Sequence, residues 1–227
     1  MSGGSGIVSD TSETAKKRQT TRSDHLPHRA HELPVLDVGC GVNKYPGAIG
    51  VDRNPNTRAD VIADLDEYPF PFRDGAFREV RAIHVIEHVS NVIRTIEEFH
   101  RLLAPGGRVV IVTPHYTDFS SFCDPTHRWH LNSFSLRYFG EHSGGYAYYS
   151  RARFREISTQ VRLLAFWRYL GFEFLVNRWR WFRRFWEFYL CYLVRGKVIE
   201  WQLEAVPMET ATGSAAGRSN PRSFSGK

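Results

Sequence analysis

The sequence predicts an α/β fold in which strands and helices alternate around a mostly parallel sheet. The apolar run 35–38 ends in Gly39 and Gly41, which is typical of a buried strand that breaks into a tight turn. A second apolar run ends at Asp52, 11 residues after Gly41. Doubly wound sheets hold a nucleoside with a glycine turn after one strand and a carboxylate at the end of the next, so we expect a Rossmann-like architecture.

Seven strands and two helices account for the apolar pattern between residues 33 and 207. The predicted strands are 33–38, 49–52, 61–63, 79–84, 108–112, 157–163 and 198–206. One helix begins near Asn91, with Ser90 or Asn91 as its cap, and a second is predicted over 181–194. The first helix and the strands on either side of it form a β-α-β unit. This unit implies parallel pairing and a seven-stranded, mostly parallel sheet.

The connection between the first two strands is unusually short. Only about seven residues, 41–47, separate them, and Pro46 lies among them. A full crossover helix normally needs roughly a dozen residues, so we expect a loop or a single turn in its place. The third glycine of the dinucleotide fingerprint is absent as well, which disfavours a nicotinamide or flavin dinucleotide.

Composition bounds the domain organisation. The chain has 227 residues, of which 42% are hydrophobic and 14% aromatic, and its formal net charge is +6. Residues 1–32 and 208–227 are polar and rich in small residues, so we expect two disordered tails around one domain spanning 33–207. Three cysteines without paired spacing argue against a disulfide framework. No secretory signal or membrane-spanning run is evident, so a cytoplasmic protein is expected.

Together these motifs resemble the class I S-adenosylmethionine-dependent methyltransferases, and most closely their small-molecule branch. The resemblance rests on residues 36–41, 51–52, 64–65, 84–89 and 103–107. It implies that S-adenosyl-L-methionine is the cofactor, that Asp52 takes the ribose hydroxyls and that Asp64 lies beside adenine. It also implies that Asp37 supports the glycine turn or reaches the cofactor amine. The cofactor-binding residues that it implies are Asp37, Gly39, Gly41, Asp52, Asp64, Leu65 and His84.

The segment after the fifth strand is polar where a core segment would be apolar. It carries His115 and His127, and it leaves the sheet at the edge where open α/β sheets bind their substrates. An alcohol acceptor must lose a proton, and histidine is the natural base near neutral pH. We therefore predict His127 or His115 as the base. The resemblance implies in addition that His84 faces the sulfonium and the substrate. A purely structural or positioning role for these histidines stays open.

A metal site is the sharper alternative for the same segment. Asp124, His127 and His130 form a D-x-x-H-x-x-H pattern. The proline and the tryptophan within this pattern argue for a loop, and a stable site would need a further ligand such as Asp118 or His115. We therefore expect no bound metal.

Residues 178–194 combine arginines with tryptophan and phenylalanine. If this stretch is helical, five apolar residues share one face, namely Phe182, Phe185, Trp186, Tyr189 and Leu193. Such a face could pack on the domain or on a dimer partner. It could also lie on a membrane, with its rings at headgroup depth and its arginines near lipid phosphates. Stacking on nucleic-acid bases is a further alternative, but the sequence contains no recognised nucleic-acid module.

The sequence thus predicts methyl transfer from S-adenosylmethionine to a small acceptor, with O-methylation of a saccharide or a lipid-linked intermediate as the preferred reaction. One alternative is a non-catalytic cofactor-binding scaffold that acts through residues 178–194, and another is an RNA methyltransferase that uses the basic tail. The sequence does not favour nucleic acid as a partner. Peripheral contact with a membrane through residues 178–194 is one expected possibility, and the oligomeric state stays open.

Overall fold

The computed structural model describes residues 32–141 and 148–207, which form one sheet flanked by helices. The strands are β1 Val35–Val38, β2 Ile49–Asp52, β3 Val61–Ile62, β4 Phe77–Ile83, β5 Leu103–Pro114, β6 Phe154–Leu163 and β7 Gly196–Ala205. The helices are α1 Val92–Leu102, α2 Ser120–Cys123, α3 Ala165–Tyr169, α4 Phe172–Arg178 and α5 Arg180–Phe185, with a 3-10 helix over Ser135–Phe139 and a π-helix over Trp186–Leu190. Apart from Glu32, the two tails predicted from the sequence lie outside the described residues.

The sheet has the strand order β3-β2-β1-β4-β5-β7-β6. All neighbouring pairs among β1 to β5 are parallel, whereas β7 runs antiparallel to both β5 and β6. The expectation of a seven-stranded, mostly parallel, doubly wound sheet is confirmed. The strand order reverses between β1 and β4, so the carboxyl ends of these two strands flank the crevice where such sheets bind ligands.

Helix α1 is placed by its cap and its apolar face. Asn91 accepts a hydrogen bond from the Arg94 N–H at 3.0 Å, which confirms the predicted cap. Ile96, Phe99 and Leu102 recur at helical spacing and are fully buried in the main core. Burial of side chains of this size contributes about 1.5–3 kcal/mol each to folding. The apolar face therefore holds α1 on the sheet.

The connection between β1 and β2 contains turns and no helix, as its length predicts. Lys44 anchors it through a 2.8 Å ion pair with Asp60, and Asp60 also accepts the Gly50 N–H of β2 at 2.7 Å. The hydrogen bonds from Lys44 and Gly50 hold the pKa of Asp60 below its usual range. The loop is therefore fixed on β2 by charge and hydrogen bonding in place of a packed helix.

Residues 164–195 form an insertion between β6 and β7. The helix predicted over 181–194 corresponds to α5 and the π-helix, which end at Leu190, whereas α3 and α4 were not predicted. The chain makes three short helices and a π-helix there. A second hydrophobic cluster holds the insertion on β6, and its buried members are Val161, Leu163, Val176, Trp186, Cys191 and Val194. In the two described ranges, no helix has the length and apolar character needed to cross a bilayer.

The insertion lies at the carboxyl edge of the sheet. It begins where β6 ends at Leu163, which pairs with Gly196 at the start of β7. Val198 of β7 in turn pairs with Pro114, the last residue of β5. Because β1 to β5 are parallel, the insertion shares this edge with the carboxyl ends of all five strands.

The apolar face predicted for the insertion is divided between the core and the surface. Trp186 is fully buried, but Tyr189 and Leu193 are 75% and 70% exposed. Arg183 and Glu187 take inward positions instead, and both are buried. These two polar side chains find hydrogen-bond partners on other segments, so helical spacing of apolar residues alone does not reveal which face is inside.

Candidate active site

A cleft of about 560 Å³ opens at the carboxyl ends of β1 to β4. This volume is in the range of small-molecule binding sites. The residues predicted from the sequence that line the cleft are Gly39, Asp52, Asp64, Leu65 and His84. Their turns come from four separate strands, which the parallel sheet brings to one edge.

The turn after β1 brings the backbone to the cleft. Gly39 has φ +62° and Gly41 has φ +53°, a region that residues with a Cβ adopt only at a cost. A Cβ on Gly39 would also lie 2.6 Å from Cγ2 of Val85, whereas a Cβ on Gly41 would meet no atom within 4 Å. Gly39 lines the cleft, and Gly41 donates its N–H to Asp52 at 2.9 Å. Gly39 therefore shapes the wall, while Gly41 orients a carboxylate.

Asp52, the last residue of β2, is well placed to bind the ribose of the cofactor. Its Oδ2 accepts the Gly41 N–H and its Oδ1 accepts the Asn54 N–H, each at 2.9 Å. A carboxylate offers about four lone-pair directions, so about two are left for ligand hydroxyls. The half-buried side chain lines the cleft. This geometry fits the ribose contact, which stays a prediction.

Asp37 lies beneath the glycine turn and does not line the cleft. It is buried, and its Oδ2 accepts the Tyr45 N–H at 2.7 Å. Burial raises the pKa of Asp37 above its usual range, although the Tyr45 N–H and the charges of Arg81 and Lys44 oppose the shift. The resemblance implies two roles for Asp37. Its contacts agree with the first of them, in which Asp37 supports the glycine turn.

The turn after β3 adds Asp64 and Leu65 to the cleft wall. The exposed Asp64 accepts the Asp66 N–H at 2.9 Å through Oδ1. Asp66 in turn accepts the Ser90 N–H at 2.7 Å, which fixes this turn to the segment that precedes α1. Asp64 keeps acceptor capacity toward the cleft, as the predicted contact with the adenine amine requires.

His84 follows β4 and is the one predicted catalytic histidine that lines the cleft. Its φ of +57° is rare for a residue with a side chain and stores about 1–3 kcal/mol of strain. Its Nδ1 lies 3.2 Å from Oε1 of the buried Glu87, while half of its side chain is exposed. The carboxylate orients the ring, so His84 can position a ligand or transfer a proton at the cleft.

His127 lies in the loop 124–130, which has no regular secondary structure, as predicted. Its ring packs edge-on against His88, with centroids 4.6 Å apart, and its Nδ1 lies 3.1 Å from the Ser121 carbonyl oxygen. His88 lines the cleft, but His127 does not. The role of His127 as a base stays a prediction, and its contact with the cleft runs through His88.

The structure does not favour His115 as the base. The ring is fully buried, its Nδ1 lies 2.7 Å from Thr117 Oγ1 and its Nε2 lies 3.3 Å from Glu187 Oε2. Gly196 packs on the ring so closely that a Cβ there would lie 2.6 Å from His115 Cγ. Because both ring nitrogens have protein partners and solvent does not reach the ring, His115 has the contacts of a structural histidine that joins β5 to the insertion.

Part of the cleft wall was missed from the sequence. His88, Thr126 and Arg128 line the cleft together with the predicted residues. The loop 124–130 is held there because the Arg128 N–H donates to the Glu87 carbonyl oxygen at 2.8 Å. A comparable bond from Trp129 Nε1 to the Val89 carbonyl oxygen joins residues 40 positions apart. Glu87 and His88 belong to the motif 84–89, which was identified from the sequence. No pattern in the neighbouring sequence predicts that the loop 124–130 contacts this motif.

Comparison with known proteins agrees with this geometry. Residues 15–183, well over half of the chain, match a family model described as a methyltransferase domain. The mouse protein named probable tRNA methyltransferase 9B is 35% identical over 92 residues, which are 34% of this chain and 21% of that protein. A probable S-adenosylmethionine-dependent methyltransferase from Mycolicibacterium smegmatis is 30% identical over 142 residues, which are 53% of this chain and 54% of that protein. The matched segments thus span between about a fifth and about half of these relatives.

A solved structure, described as a SAM dependent methyltransferase from Archaeoglobus fulgidus, shares the fold. The TM-score is 0.51 at 17% identity, over 76% of this chain and 86% of that chain. This likeness shows the fold alone. The family match spans the cleft and the strands that form it, and it confirms the expectations of an enzyme and of its methyl donor. The chain belongs to the class I S-adenosylmethionine-dependent methyltransferase family, with S-adenosylmethionine as its cofactor.

Proposed function

We propose that the protein transfers a methyl group from S-adenosylmethionine to a hydroxyl of a small acceptor, a saccharide or a lipid-linked intermediate, at the surface of a membrane. One observation carries the proposal. The cofactor cleft and a broad exposed aromatic surface occupy the same edge of the sheet. An acceptor held in a bilayer would therefore meet the edge that carries the methyl donor.

In this reaction the acceptor oxygen attacks the methyl carbon in line with the breaking S–C bond. The electron pair of that bond stays on sulfur, which leaves S-adenosylhomocysteine, and the hydroxyl proton passes to a base or to water. Alignment of the two reactants supplies most of the acceleration, and proton removal typically adds about 10²–10⁴-fold. The available histidines are His84 and His88, which line the cleft, and His127, which contacts the cleft through His88.

The aromatic surface consists of rings on α4, α5 and the π-helix that contact one another in a continuous series. In order of contact they are Phe174, Trp179, Trp181, Phe182, Phe185, Tyr189 and Phe188, with centroids between 5.2 and 6.4 Å apart. Four of them, Phe174, Trp181, Phe188 and Tyr189, are between 65% and 75% exposed. A contiguous exposed apolar surface of this kind is typical of an interaction site.

Arginines border the aromatic surface. The guanidinium of Arg178 lies 5.8 Å from the ring centroid of Trp179, and that of Arg184 lies 5.7 Å from that of Phe188. Aromatic rings suit the headgroup depth of a bilayer, and guanidinium groups bind lipid phosphates. Each arginine close to an anionic leaflet adds about 1 kcal/mol of attraction. This pattern supports a bilayer that contains anionic lipids as the occupant of the surface.

RNA is the second candidate acceptor, because several relatives, the mouse protein among them, are named as tRNA methyltransferases. The rim of the cleft gives it little support. Three aspartates, Asp52, Asp64 and Asp66, line the cleft with only two arginines, Arg53 and Arg128. Arg128 also lies 3.6 Å from Asp66, which partly neutralises it. RNA binding gains most of its affinity from cations that meet phosphates, and this rim lacks a cationic excess.

The acceptor is identified by labelling. Purified full-length protein is incubated with methyl-labelled S-adenosylmethionine and, separately, with lipid-linked saccharides, water-soluble saccharides and total RNA. We expect label in a saccharide-bearing fraction and base-stable ether linkages in the product. Label confined to RNA would contradict the proposal.

The membrane contact is tested by flotation with vesicles of phosphatidylcholine, with and without phosphatidylserine. We expect flotation with the anionic vesicles and its loss when Trp181→Ser is combined with Tyr189→Ser. Ile62→Ser is the matched control, since Ile62 is 54% exposed on β3, at the opposite end of the strand order from β6. Equal flotation of the wild type and the double variant would exclude the bilayer. The bilayer would also be excluded if the protein did not float and instead formed a stable dimer through the same residues.

A further inference from the structure

Three metal-binding side chains from two segments meet beside the cofactor cleft. Glu87 and His88 follow β4, and His127 belongs to the loop 124–130. One ligand atom from each of the three lies within 4.8 Å of the others. This set differs from the D-x-x-H-x-x-H pattern in the sequence, because only His127 belongs to both.

The structure directs His130 away from this cluster. Its Nδ1 lies 2.9 Å from Ser121 Oγ, and its ring stacks on Phe122 with centroids 3.9 Å apart. His127 and His130 share the same short loop, yet their rings have different environments. The pair therefore offers a natural comparison between a ligand and a neighbouring non-ligand.

Two hydrogen bonds to backbone carbonyl oxygens hold the two segments of the cluster together. The loop donates the Arg128 N–H to the carbonyl oxygen of Glu87 itself at 2.8 Å. Trp129 Nε1 donates to the Val89 carbonyl oxygen at 2.7 Å, on the other side of His88. His88 and His127 are thus brought together by hydrogen bonds from their neighbours, which is the preorganisation that a metal site needs.

Both histidines make their hydrogen bonds through Nδ1, so Nε2 of each is the candidate ligand atom, and the Asp124 Oδ2 atom lies 3.8 Å from His127 Nε2. His127 Nδ1 lies 3.1 Å from the Ser121 carbonyl oxygen, which only accepts, so Nδ1 carries the proton. His88 Nδ1 lies 2.9 Å from Thr126 Oγ1, whose own hydroxyl donates to Asp124 at 2.7 Å. Thr126 Oγ1 therefore accepts from His88 Nδ1–H. A metal-binding histidine typically donates its other ring N–H in this way.

Glu87 supplies a buried carboxylate that lacks a permanent cation. Its side chain is 1% exposed, Oε2 accepts the Thr113 hydroxyl at 3.0 Å and Oε1 lies 3.2 Å from His84 Nδ1. Among residues 32–141 and 148–207, His84 is the only basic side chain with a nitrogen within 4.0 Å of this carboxylate. Burial of an ionised carboxylate is costly unless a cation compensates it, and a metal ion would do so.

We propose that Glu87, His88 and His127 bind one divalent transition-metal ion, with zinc as the best match. Two imidazole nitrogens and one carboxylate oxygen are typical ligands of zinc and iron(II) sites that keep a position for water or substrate. Because His88 also lines the cleft, the ion borders the cofactor site. Here the inference rests on the proposed function: an acceptor hydroxyl bound to the ion would lose its proton to water more easily before its oxygen attacks the methyl carbon.

Metal titration tests the site without any acceptor. Untagged full-length protein is stripped with a chelator and titrated with Co²⁺, followed by visible absorption, and with Zn²⁺, followed by calorimetry. We expect one ion per chain and a loss of roughly 100-fold or more in affinity for His127→Ala. His130→Ala, the matched control from the same loop, leaves the affinity unchanged. Thr126→Val removes only the hydroxyl that orients His88 and weakens binding by roughly tenfold.

Two outcomes would overturn the site. One is binding by His127→Ala that equals the wild type, and the other is an equal loss in His130→Ala and His127→Ala. Thr126→Val keeps the test valid if a histidine variant fails to fold, because an unchanged affinity in that variant contradicts the assigned orientation of His88. These titrations contain neither cofactor nor acceptor, so failure to methylate any acceptor does not alter their result.

Discussion

The cofactor cleft and the insertion 164–195 share one edge of the sheet but are held together differently. In the cleft, strand-end turns support one another through backbone N–H groups and nearby carboxylates, as between Gly41 and Asp52, which are 11 residues apart. In the insertion, buried polar side chains meet partners far along the chain, as between His115 and Glu187, which are 72 residues apart. A sequence motif can therefore specify the strand-end turns of the cleft, whereas distant contacts determine the insertion and the loop 124–130 that completes the cleft wall.

The largest expected effect comes from two tryptophans of the insertion. Trp186 is fully buried and donates Nε1–H to the Val194 carbonyl oxygen at 2.7 Å, whereas Trp181 is 67% exposed. We expect Trp186→Ala to lower the free energy of unfolding by about 3–5 kcal/mol, because it removes buried surface and leaves a cavity. Trp181→Ala should change it by less than about 0.5 kcal/mol. Denaturant unfolding measures both, and equal losses would show that the buried face is assigned wrongly.

Glu187 tests the buried polar contacts of the insertion. Burial acts to raise the pKa of Glu187, but hydrogen bonds from His115 and Ser133 outweigh it and hold the pKa below its usual range. Such a carboxylate stabilises the fold above its unfolded-state pKa of about 4.3, and the contribution is lost as pH falls through the folded-state pKa. We expect Glu187→Gln to lower the free energy of unfolding by about 3 kcal/mol at pH 7.

The pH dependence separates this effect from simple loss of packing. The deficit of Glu187→Gln relative to the wild type should shrink progressively below about pH 4.3. Glu67→Gln is the control, because Glu67 is exposed and should leave stability unchanged at either pH. Denaturant unfolding at pH 7 and at several acidic values provides the comparison. A deficit that is independent of pH would contradict the charge-based account.

The same contrast explains how far the sequence could predict the molecule. The Asn91 cap and the apolar repeat of α1 are local signals, and they predicted the β-α-β unit correctly. Asp52 and Asp64 were found because each ends or follows a strand whose position is evident from the apolar pattern. Local spacing fails for Arg183 and Glu187, because a buried charge is satisfied only by partners that the tertiary fold brings near.

Asp52 gives the next largest effect, this time on the cleft. Removal of its carboxylate eliminates the predicted hydrogen bonds to the ribose hydroxyls and also frees the Gly41 N–H. We expect Asp52→Ala to weaken S-adenosylmethionine binding by about 2 kcal/mol, about 30-fold. Calorimetric titration measures it, with Asp60→Ala as the control, since Asp60 fixes the same connection but does not line the cleft. If Asp52→Ala and the wild type bound S-adenosylmethionine with equal affinity, the prediction that Asp52 binds the ribose hydroxyls would be wrong.

The smallest expected effect separates two glycines that look equivalent in the sequence. Gly41→Ala should lower the free energy of unfolding by about 1 kcal/mol, because alanine must hold φ +53° in otherwise open space. Gly39→Ala should cost more, since its Cβ would also lie 2.6 Å from Cγ2 of Val85. Unfolding of both variants with and without Val85→Ala forms a double-mutant cycle. Val85→Ala should recover part of the Gly39→Ala loss and none of the Gly41→Ala loss. Equal recovery would mean that one cause governs both glycines, whereas the structure assigns a steric cause only to Gly39.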